Sequence, residues 1–324
     1  MITANSKIKL FTHIDLDGVG SIVILGLVNY NYSYTLAYPD PADGGFTSNS
    51  IGKYINEFID SEEYKKYDRV FITDLFINSD TAELINSVND DGRFMVFDHH
   101  LGSTEYDFSW LTAKVKIGDV PTCGTELFWD FVARENYLTD KMDYRQFGLC
   151  TKFVESVRLY DTWQWCTTKS ALSGLAQDLN ELYHIHGVDK FTSNYINKLL
   201  SSDSEFVETI DRALLEYISR EKEMYIEKKA KSVNIFNVDK LEFAVVFAEK
   251  YNSELLNYIL EETGCDVAAS VNMSNNTVSL RTKSDTINVS DIAKRHNGGG
   301  HAKAAGFVFS DSYGRDIIRA VLGN

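Results

Sequence analysis

The chain has 324 residues, of which 44% are hydrophobic, 13% aromatic and 24% charged, and its formal net charge is −15. This is the composition of a globular protein with material for about two domains. The negative charge argues against a protein that coats long nucleic acid, because such proteins carry a basic footprint. No apolar run reaches the roughly 18 residues of a membrane helix, and the first residues lack the pattern of a signal peptide.

The cysteines are few, widely spaced and without a CxxC pair. They are Cys123, Cys150, Cys166 and Cys265. This pattern favours reduced thiols over a disulfide framework or a zinc site. We therefore expect a cytoplasmic protein.

Short apolar runs alternate with helical patterns along the first hundred residues. The predicted strands are residues 8–13, 33–39, 69–75 and 93–100, and the predicted helices between them are residues 18–30, 50–67 and 80–92. This β-α-β rhythm predicts an α/β fold with a parallel sheet flanked by helices. Functional groups of such sheets collect beyond the carboxyl ends of the strands, where Asp15, Asp74 and Asp98 are expected.

The rest of the chain predicts a helical middle and a second α/β domain. Helical patterns cover residues 121–136 and 143–165, and a long polar helical stretch follows at 187–232. We interpret 1–186 as the first domain, 187–232 as a helical connector and 233–324 as a smaller mixed α/β domain. Extra helices of the first domain are an equally good interpretation of the connector.

Charge is distributed unevenly between these parts. Residues 232–324 hold 9 Lys/Arg and 11 Asp/Glu, a net of −2, which leaves −13 for residues 1–231. Between Arg281 and Lys303 there are five basic and two acidic residues, a local charge of +3. An acidic body with a locally basic loop suits a small anionic substrate held partly by metal ions.

Metal-ligand residue types gather where the first strand ends. His13, Asp15 and Asp17 alternate, so an extended segment would project all three into one crevice. Taken singly, an aspartate at a strand end is usually a helix cap or turn residue. Several aspartates that converge at the strand ends would destabilise the fold, since two charges ~4 Å apart repel by about 4 kcal/mol at an effective dielectric of 20. Divalent cations would offset this repulsion, and carboxylates with imidazoles favour manganese, cobalt or magnesium over structural zinc.

Five motifs in order give the sequence a family resemblance. They are HIDLDG (13–18), ITDL (72–75), FDHH (97–100), YDTW (160–163) and the segment 276–307 with its GGGH loop. The first four resemble the motifs of the DHH phosphoesterases, and the fifth resembles the DHH-associated C-terminal domain. Together they span about residues 8–320. Within the family, the chain is most similar to the bacterial nanoRNases, which degrade very short RNA from one end.

The resemblance implies a dinuclear metal centre. Asp74 would bridge two divalent ions, most simply Mn²⁺, with Co²⁺ or Mg²⁺ as alternatives. The other implied ligands are His13 and Asp15 for one ion, and Asp17, His99 and Asp161 for the other. Asp98 would orient His99, and His100 would face the scissile phosphate. His13 stands two residues before Asp15, whereas many relatives have a histidine four residues before the first aspartate.

The resemblance also implies a substrate grip in the second domain. His301 and the backbone of Gly298, Gly299 and Gly300 would hold the terminal nucleotide or phosphate. Glycines let a backbone approach an anion closely. Arg281 is a candidate bidentate phosphate ligand, and an ion pair with Asp285 or Asp291 is the alternative. Lys283, Arg295 and Lys303 would add general attraction.

Two aromatic residues and a histidine pair have competing interpretations. Trp163 and Trp165, beside Asp161, could stack on a base, although core packing around the metal loop is the preferred interpretation. His184 and His186 could be a ligand pair, but a surface or connector turn is favoured.

The resulting hypothesis is a two-metal-dependent hydrolase that degrades short oligoribonucleotides to mononucleotides. The alternatives are a phosphodiesterase for linear or cyclic dinucleotides and, in a different class, a non-catalytic nucleotide-binding regulatory protein. The expected partners are short single-stranded oligonucleotides or dinucleotides, without membrane association. A homodimer is possible.

Overall fold

The fold is that of a computed structural model, which describes residues 2, 5–37, 49–134, 142–168 and 170–310. These residues form two compact units that divide between Leu215 and Glu216. Helix α7 (Thr209–Ala230) contains this division. Among the described residues, no helix is long and apolar enough to cross a membrane.

The first unit alternates strands and helices as the sequence predicts. Its strands are β1 (Ile8–His13), β2 (Tyr32–Ala37), β3 (Arg69–Thr73), β4 (Phe94–Asp98), β5 (Leu111–Ala113) and the short pair β6 (Lys116–Ile117) and β7 (Val120–Pro121). Its helices are α1 (Leu16–Val28), α2 (Asn49–Asp60), α3 (Ser79–Val88), α4 (Gly124–Arg134), α5 (Tyr144–Asp161) and α6 (Ala171–Leu200). Among the described residues, the main sheet has five parallel strands in the order β2-β1-β3-β4-β5.

Apolar side chains cover both faces of this sheet. Because side chains alternate along a strand, Phe71 and Phe97 pack into the core formed with α1, α4, α5 and α6. Their neighbours Ile72 and Val96 pack on the other face with α2 and α3. The prediction of a parallel sheet flanked by helices is confirmed. This two-sided burial explains why the strands are continuous apolar runs rather than alternating ones.

The strand order determines where a ligand can bind. In a sheet of order 2-1-3-4-5, connections leave β1 and β3 toward opposite sides, which opens a crevice at their carboxyl ends. β1 ends at His13 and β3 at Thr73, immediately before Asp74. The acidic motifs therefore lie at the position that general α/β topology favours for binding.

Helix α6 differs from the prediction. It begins at Ala171, so the predicted boundary at residue 186 lies inside it. Gly187 interrupts the helix with φ 72° and ψ 170°. The preceding His186 is not in a surface turn, because its Nε2 lies 3.1 Å from Asp211 Oδ1 and both side chains are largely buried. The division into domain, connector and second domain stays a prediction.

The second unit is a mixed α/β layer. Its strands are β8 (Asn234–Val238), β9 (Leu241–Phe247), β10 (Val267–Asn272), β11 (Thr277–Arg281), β12 (Gly299–His301) and β13 (Ala304–Val308), in the order β12-β13-β11-β10-β9-β8. Its helices are α8 (Asn252–Thr263) and α9 (Val289–Lys294). β9 and β10 are parallel, and the other described pairs are antiparallel. A helical sequence pattern at residues 313–323 lies outside the described residues.

Candidate metal centre

The first two candidate ligands are held at the β1–α1 turn. Asp15 is the N-cap of α1, and its Oδ1 accepts a hydrogen bond from the Gly18 amide at 3.0 Å. Its Oδ2 lies 2.8 Å from His13 Nδ1. A Cβ on Gly18 would lie 2.1 Å from the His13 carbonyl oxygen, so only glycine fits there. The turn therefore presents His13 and Asp15 as a contacting pair.

Asp17 lies in the first turn of α1 and joins that helix to α4. Its buried carboxylate accepts hydrogen bonds from the amides of Gly124 and Thr125, both at 2.7 Å. The Thr125 hydroxyl donates to the Asp17 carbonyl oxygen. A carboxylate has about four lone-pair sites, so these bonds leave acceptor positions for a cation. Sequence reasoning missed Gly124 and Thr125, although both stand at the start of a predicted helix.

Asp74 occupies the centre of the site. Its backbone has φ 53°, a left-handed conformation that is unfavourable for a non-glycine residue. Its amide donates to the Phe97 carbonyl oxygen at 2.9 Å, which fixes this turn against β4. The residue is 4% exposed, and its Oδ2 has no hydrogen-bond partner among the described residues. Gly124 packs directly against Asp74: a Cβ at position 124 would lie only 2.8 Å from the Asp74 Cβ, so a side chain there would clash with it.

His99 connects three of the acidic side chains. Its Nε2 lies 3.2 Å from Asp74 Oδ1, 3.6 Å from Asp161 Oδ2 and 3.9 Å from Asp17 Oδ2. Asp161 is the last residue of α5. Its Oδ2 is buried and, among the described residues, has no hydrogen-bond partner. The fourth motif therefore reaches the strand-end motifs, as the sequence predicts.

The donor atoms form three overlapping groups, each with its atoms within 4.8 Å of one another. The groups are His13–Asp15–Asp74, Asp17–His99–Asp161 and Asp74–His99–His100. Asp74 and His99 each belong to two groups. Asp74 Oδ1 lies toward His99, whereas Oδ2 lies 3.9 Å from His13 Nδ1. The two oxygens of Asp74 therefore face different donor groups.

The electrostatics of these groups fit divalent cations. Burial, together with the charges of Asp15, Asp17, Asp161 and Asp98, raises the pKa of Asp74 well above its ordinary value. Burial and neighbouring carboxylates also raise the pKa of Asp161. A buried carboxylate oxygen without a hydrogen bond is costly. Two such oxygens beside imidazole nitrogens are a suitable donor set for hard or borderline divalent ions.

Asp98 differs from the expectation that it orients His99. Its Oδ1 lies 2.7 Å from Nδ1 of His100, and its Oδ2 accepts from the Ser103 hydroxyl. The His99 ring lies beside the His100 ring, with centroids 4.7 Å apart, but its Nε2 is directed to Asp74 rather than to Asp98. Burial opposes ionisation of Asp98, but these hydrogen bonds outweigh it and its pKa is lowered. His100 Nδ1 is therefore the donor to an ionised carboxylate.

Above about pH 5, the stability of the metal-free protein should fall steadily as pH rises. The pKa of Asp74 and of Asp161 is raised by burial and nearby carboxylates, so their contribution to stability is lost as pH rises above 3.8. Burial lowers the pKa of His13 and of His100, but hydrogen-bonded carboxylates outweigh it, and stability falls as pH rises above 6.5. The lowered pKa of Asp15 and of Asp98 adds stability that is complete by about pH 5.

We therefore expect the Tm of the first unit in EDTA-treated protein to fall by at least about 2–4 °C between pH 5 and pH 8, the shift that 1 kcal/mol produces in a unit of roughly 150–250 residues. Mn²⁺ should raise the Tm more at pH 8, because binding displaces protons. Differential scanning calorimetry with and without Mn²⁺ measures both. A metal-free Tm that rises across this range would show that the acidic groups are not crowded in solution.

In the second unit, the register places Arg281 and His301 on one sheet face. Arg281 is opposite Ala304, and Ala304 is opposite His301. Two strand spacings separate them, which is about 10 Å, with only a methyl group between. Arg281 also donates to the Ser253 hydroxyl at 2.8 Å. On this sheet face, Arg281, Ala304 and His301 therefore lie side by side on three neighbouring strands, with the cation at one end and the imidazole at the other.

Arg281 differs from the other cations between residues 281 and 303. The ion pairs there are Lys283–Glu261, Lys294–Asp291, Arg295–Asp239 and Lys303–Asp285. Arg281 has no such pair among the described residues, so the alternative pairing with Asp285 or Asp291 is wrong. Burial lowers the pKa of its guanidinium. Of this basic segment, Arg281 is the cation best placed to receive an anion.

The predicted glycine loop is mostly strand, and its three glycines are not equivalent. A Cβ on Gly298 would lie 2.2 Å from the Gly306 carbonyl oxygen, and Gly300 has φ 131°. Both are therefore required by contact with β13. A Cβ on Gly299 would meet nothing within 4 Å. Gly299 is thus the position where the missing side chain leaves room for a ligand.

Comparisons with known proteins agree with this architecture. Residues 246–322 match the DHHA1 domain. The chain is 30% identical over 311 residues to the oligoribonuclease NrnB of Bacillus subtilis strain 168, covering 93% of this chain and 73% of that protein. The chain therefore belongs to the DHH phosphoesterases, a family of hydrolases.

Two solved structures share the fold. The pGpG-specific phosphodiesterase PggH from Vibrio cholerae is 14% identical with a TM-score of 0.55, and the match covers 97% of each chain. RecJ from Thermus thermophilus, solved with Mn²⁺, is 15% identical with a TM-score of 0.54. That match covers 98% of this chain and 51% of RecJ.

Proposed function

We propose that this protein is a two-metal-dependent phosphodiester hydrolase that degrades short oligoribonucleotides to mononucleotides. The observation that carries the proposal is the junction of two donor groups at Asp74, whose oxygens face His13 and His99. The similarity to an oligoribonuclease over most of the chain supports the substrate class. Manganese as the metal, a cytoplasmic location and a homodimer stay predictions.

Six residues of the first two donor groups would hold the ions. His13 and Asp15 would bind one ion, and Asp17, His99 and Asp161 the other, with Asp74 shared. When bound, two such ions supply Lewis acidity that activates water and offsets charge on the phosphoryl oxygens. The amides of Gly124 and Thr125 would keep Asp17 in place, so that its remaining lone pairs point to the cation.

His100 would act on the phosphoryl group rather than on a metal ion. Asp98 accepts from Nδ1, which fixes the ring and leaves Nε2 as the atom that can reach substrate. The hydrogen bond to Asp98 also favours the protonated ring, which is why the pKa of His100 is raised despite burial. An imidazolium N–H aimed at the phosphoryl oxygens would stabilise their charge in the transition state. The third donor group leaves metal ligation by His100 as the alternative role.

Arg281, His301 and the Gly299 backbone would bind a substrate phosphate or terminal nucleotide in the second unit. A guanidinium that is half-buried and lacks a carboxylate partner gains most from a phosphate. The open space at Gly299 permits close approach to the backbone. This binding would favour substrates short enough to present a chain end.

Arg281→Ala is expected to raise KM for a dinucleotide by about 10- to 150-fold with little change in kcat. A hydrogen bond to a charged group contributes about 1.5–3 kcal/mol, which corresponds to that range. The control is Arg295→Ala, because Arg295 is exposed and paired with Asp239 at 3.2 Å. Steady-state kinetics on pApA with Mn²⁺ measures both. Equal KM values for the two variants would remove Arg281 from the substrate site.

A substrate panel with Mn²⁺ tests the proposed function. It contains RNA and DNA of two to ten nucleotides, linear and cyclic dinucleotides, and pyrophosphate. Mononucleotide release that is fastest from the shortest RNA supports the proposal. Cleavage restricted to linear or cyclic dinucleotides would indicate the dinucleotide phosphodiesterase instead. Binding without any product would indicate a non-catalytic nucleotide-binding protein.

A further inference from the structure

A tryptophan beside the metal centre is exposed in an unfavourable backbone conformation. Trp163 follows Asp161 by two residues, has φ 61° and ψ 14°, and is 37% exposed. Left-handed backbone is rare for a bulky side chain. Two peptide units place its Cα within about 7.6 Å of the Asp161 Cα. A large aromatic surface is therefore presented to solvent close to the proposed metal ligands.

The ring of Trp163 is held by its neighbours. It packs edge-on against Trp165, with ring centroids 5.3 Å apart and planes at 71°. Trp165 in turn stacks on Tyr160 at 5.7 Å and 12°. The indole N–H of Trp165 has no hydrogen-bond partner among the described residues, so ring contacts alone position it. Trp165 is thus a packing residue, and Trp163 is the more exposed of the two rings.

A buried arginine holds the side chain of Gln164, the residue that follows Trp163. Arg158, 8% exposed, donates to Gln164 Oε1 at 2.6 Å and lies 3.5 Å from Glu126. The Trp163 amide donates to the Tyr160 carbonyl oxygen at 3.0 Å. Such support preorganises the ring, and a preorganised aromatic surface loses little entropy when it binds. The strained conformation is maintained by contacts that orient the ring without burying it.

We propose that Trp163 stacks on the nucleobase of the nucleotide whose phosphate lies at the metal centre. This inference rests on the proposed function and adds a substrate-binding residue to it. A nucleotide carries its base and its 5′-phosphate on one ribose, so a phosphate near Asp161 brings the base within reach of Trp163. Stacking on an aromatic ring tolerates every base, because each has a π-face. Trp163 would thus select nucleotides over other phosphate esters without selecting a sequence.

Trp163→Ala is expected to raise KM for pApA by about 5- to 150-fold, the range found for loss of one stacked base, and to change kcat little. The increase should be smaller for pUpU, since a pyrimidine offers less stacking area. Trp163→Phe should recover most of the affinity. Tyr144→Ala is the matched control, because Tyr144 is an aromatic residue that is 95% exposed. Unchanged Mn²⁺ binding would show that the centre remains folded in each variant.

Calorimetric titration of the Mn²⁺-loaded protein tests the inference without turnover. The wild type should bind AMP more tightly than ribose 5-phosphate, and Trp163→Ala should remove that difference. If the difference and the KM for pApA are both unchanged in Trp163→Ala, the stacking role is wrong. If the wild type hydrolyses no oligonucleotide, the proposed function fails, and the AMP comparison still decides whether Trp163 holds a base.

Discussion

The Asp74→Asn variant is expected to lose at least about a thousandfold in kcat/KM, and its metal-free form is expected to be more stable than the wild type. A thousandfold loss corresponds to about 4 kcal/mol, within the several kcal/mol that metal ions contribute to phosphoryl chemistry. The stability gain follows because a buried, unpartnered carboxylate among four others is replaced by a neutral amide. Opposite effects on stability and activity are typical of functional residues.

Calorimetry of EDTA-treated protein and kinetics with saturating Mn²⁺ measure the two effects. Asp90→Asn is the control, because Asp90 is exposed on the loop before β4 and should change neither quantity. Near-normal turnover of Asp74→Asn would remove Asp74 from its proposed bridging position. A lower metal-free Tm would contradict the electrostatic crowding.

His100→Ala is expected to lower kcat by about 10²- to 10³-fold, with little change in KM. This is the typical cost of losing one donor that stabilises charge in a transition state. Affinity for Mn²⁺ should be unchanged if His100 acts on the phosphoryl group. A large loss of metal affinity would assign His100 to the third donor group, Asp74–His99–His100, as a ligand.

The Asp98–His100 hydrogen bond adds a second test of this assignment. Asp98→Asn should also lower kcat, because it removes the ionised acceptor that fixes the His100 ring. The double variant should be little worse than His100→Ala alone, since residues that act as a unit are not additive. Kinetics of the four proteins gives the coupling directly. Additive losses would mean that Asp98 acts independently of His100.

Strands β1 to β4 of the first unit could be predicted from sequence because their signals are local, whereas the three-residue strand β5 was not predicted. Each strand is an apolar run followed by a glycine- or aspartate-containing turn, and parallel strands bring such ends to one edge. The start of α6 at Ala171 could not be predicted, because Ser173 and Gly174 in its first turn are weak helix formers. β8 was missed for a similar reason: all five of its residues are exposed, so no burial pattern marks it.

The site was predicted by residue type and position, whereas its hydrogen bonds were not. The motifs gave the six proposed ligands, but the pairing of Asp98 with His100 depends on which side each ring points. The amides that hold Asp17 come from Gly124 and Thr125, more than a hundred residues away. Neither the pairing of Asp98 with His100 nor the two amides that hold Asp17 can be recognised from a local sequence pattern. The difference between Trp163 and Trp165 likewise depends on a single backbone conformation.

The roles of the glycines in the second unit could likewise be predicted only in part from the sequence. Three consecutive glycines predict close backbone approach, but sequence cannot say what approaches. The structure assigns Gly298 and Gly300 to contact with β13 and leaves open space at Gly299. The basic segment behaves similarly, because four of its five cations have carboxylate partners and only the fold brings three of these partners near.

The stoichiometry of divalent ions tests most directly whether cations hold this acidic centre together. Isothermal titration of EDTA-stripped protein with Mn²⁺ near pH 7.5 should give two ions per chain, with Asp161→Asn retaining one strong site and Asp74→Asn weakening both. Binding of no ion by a folded chain, or a stoichiometry unaffected by either substitution, would contradict the proposed dinuclear centre.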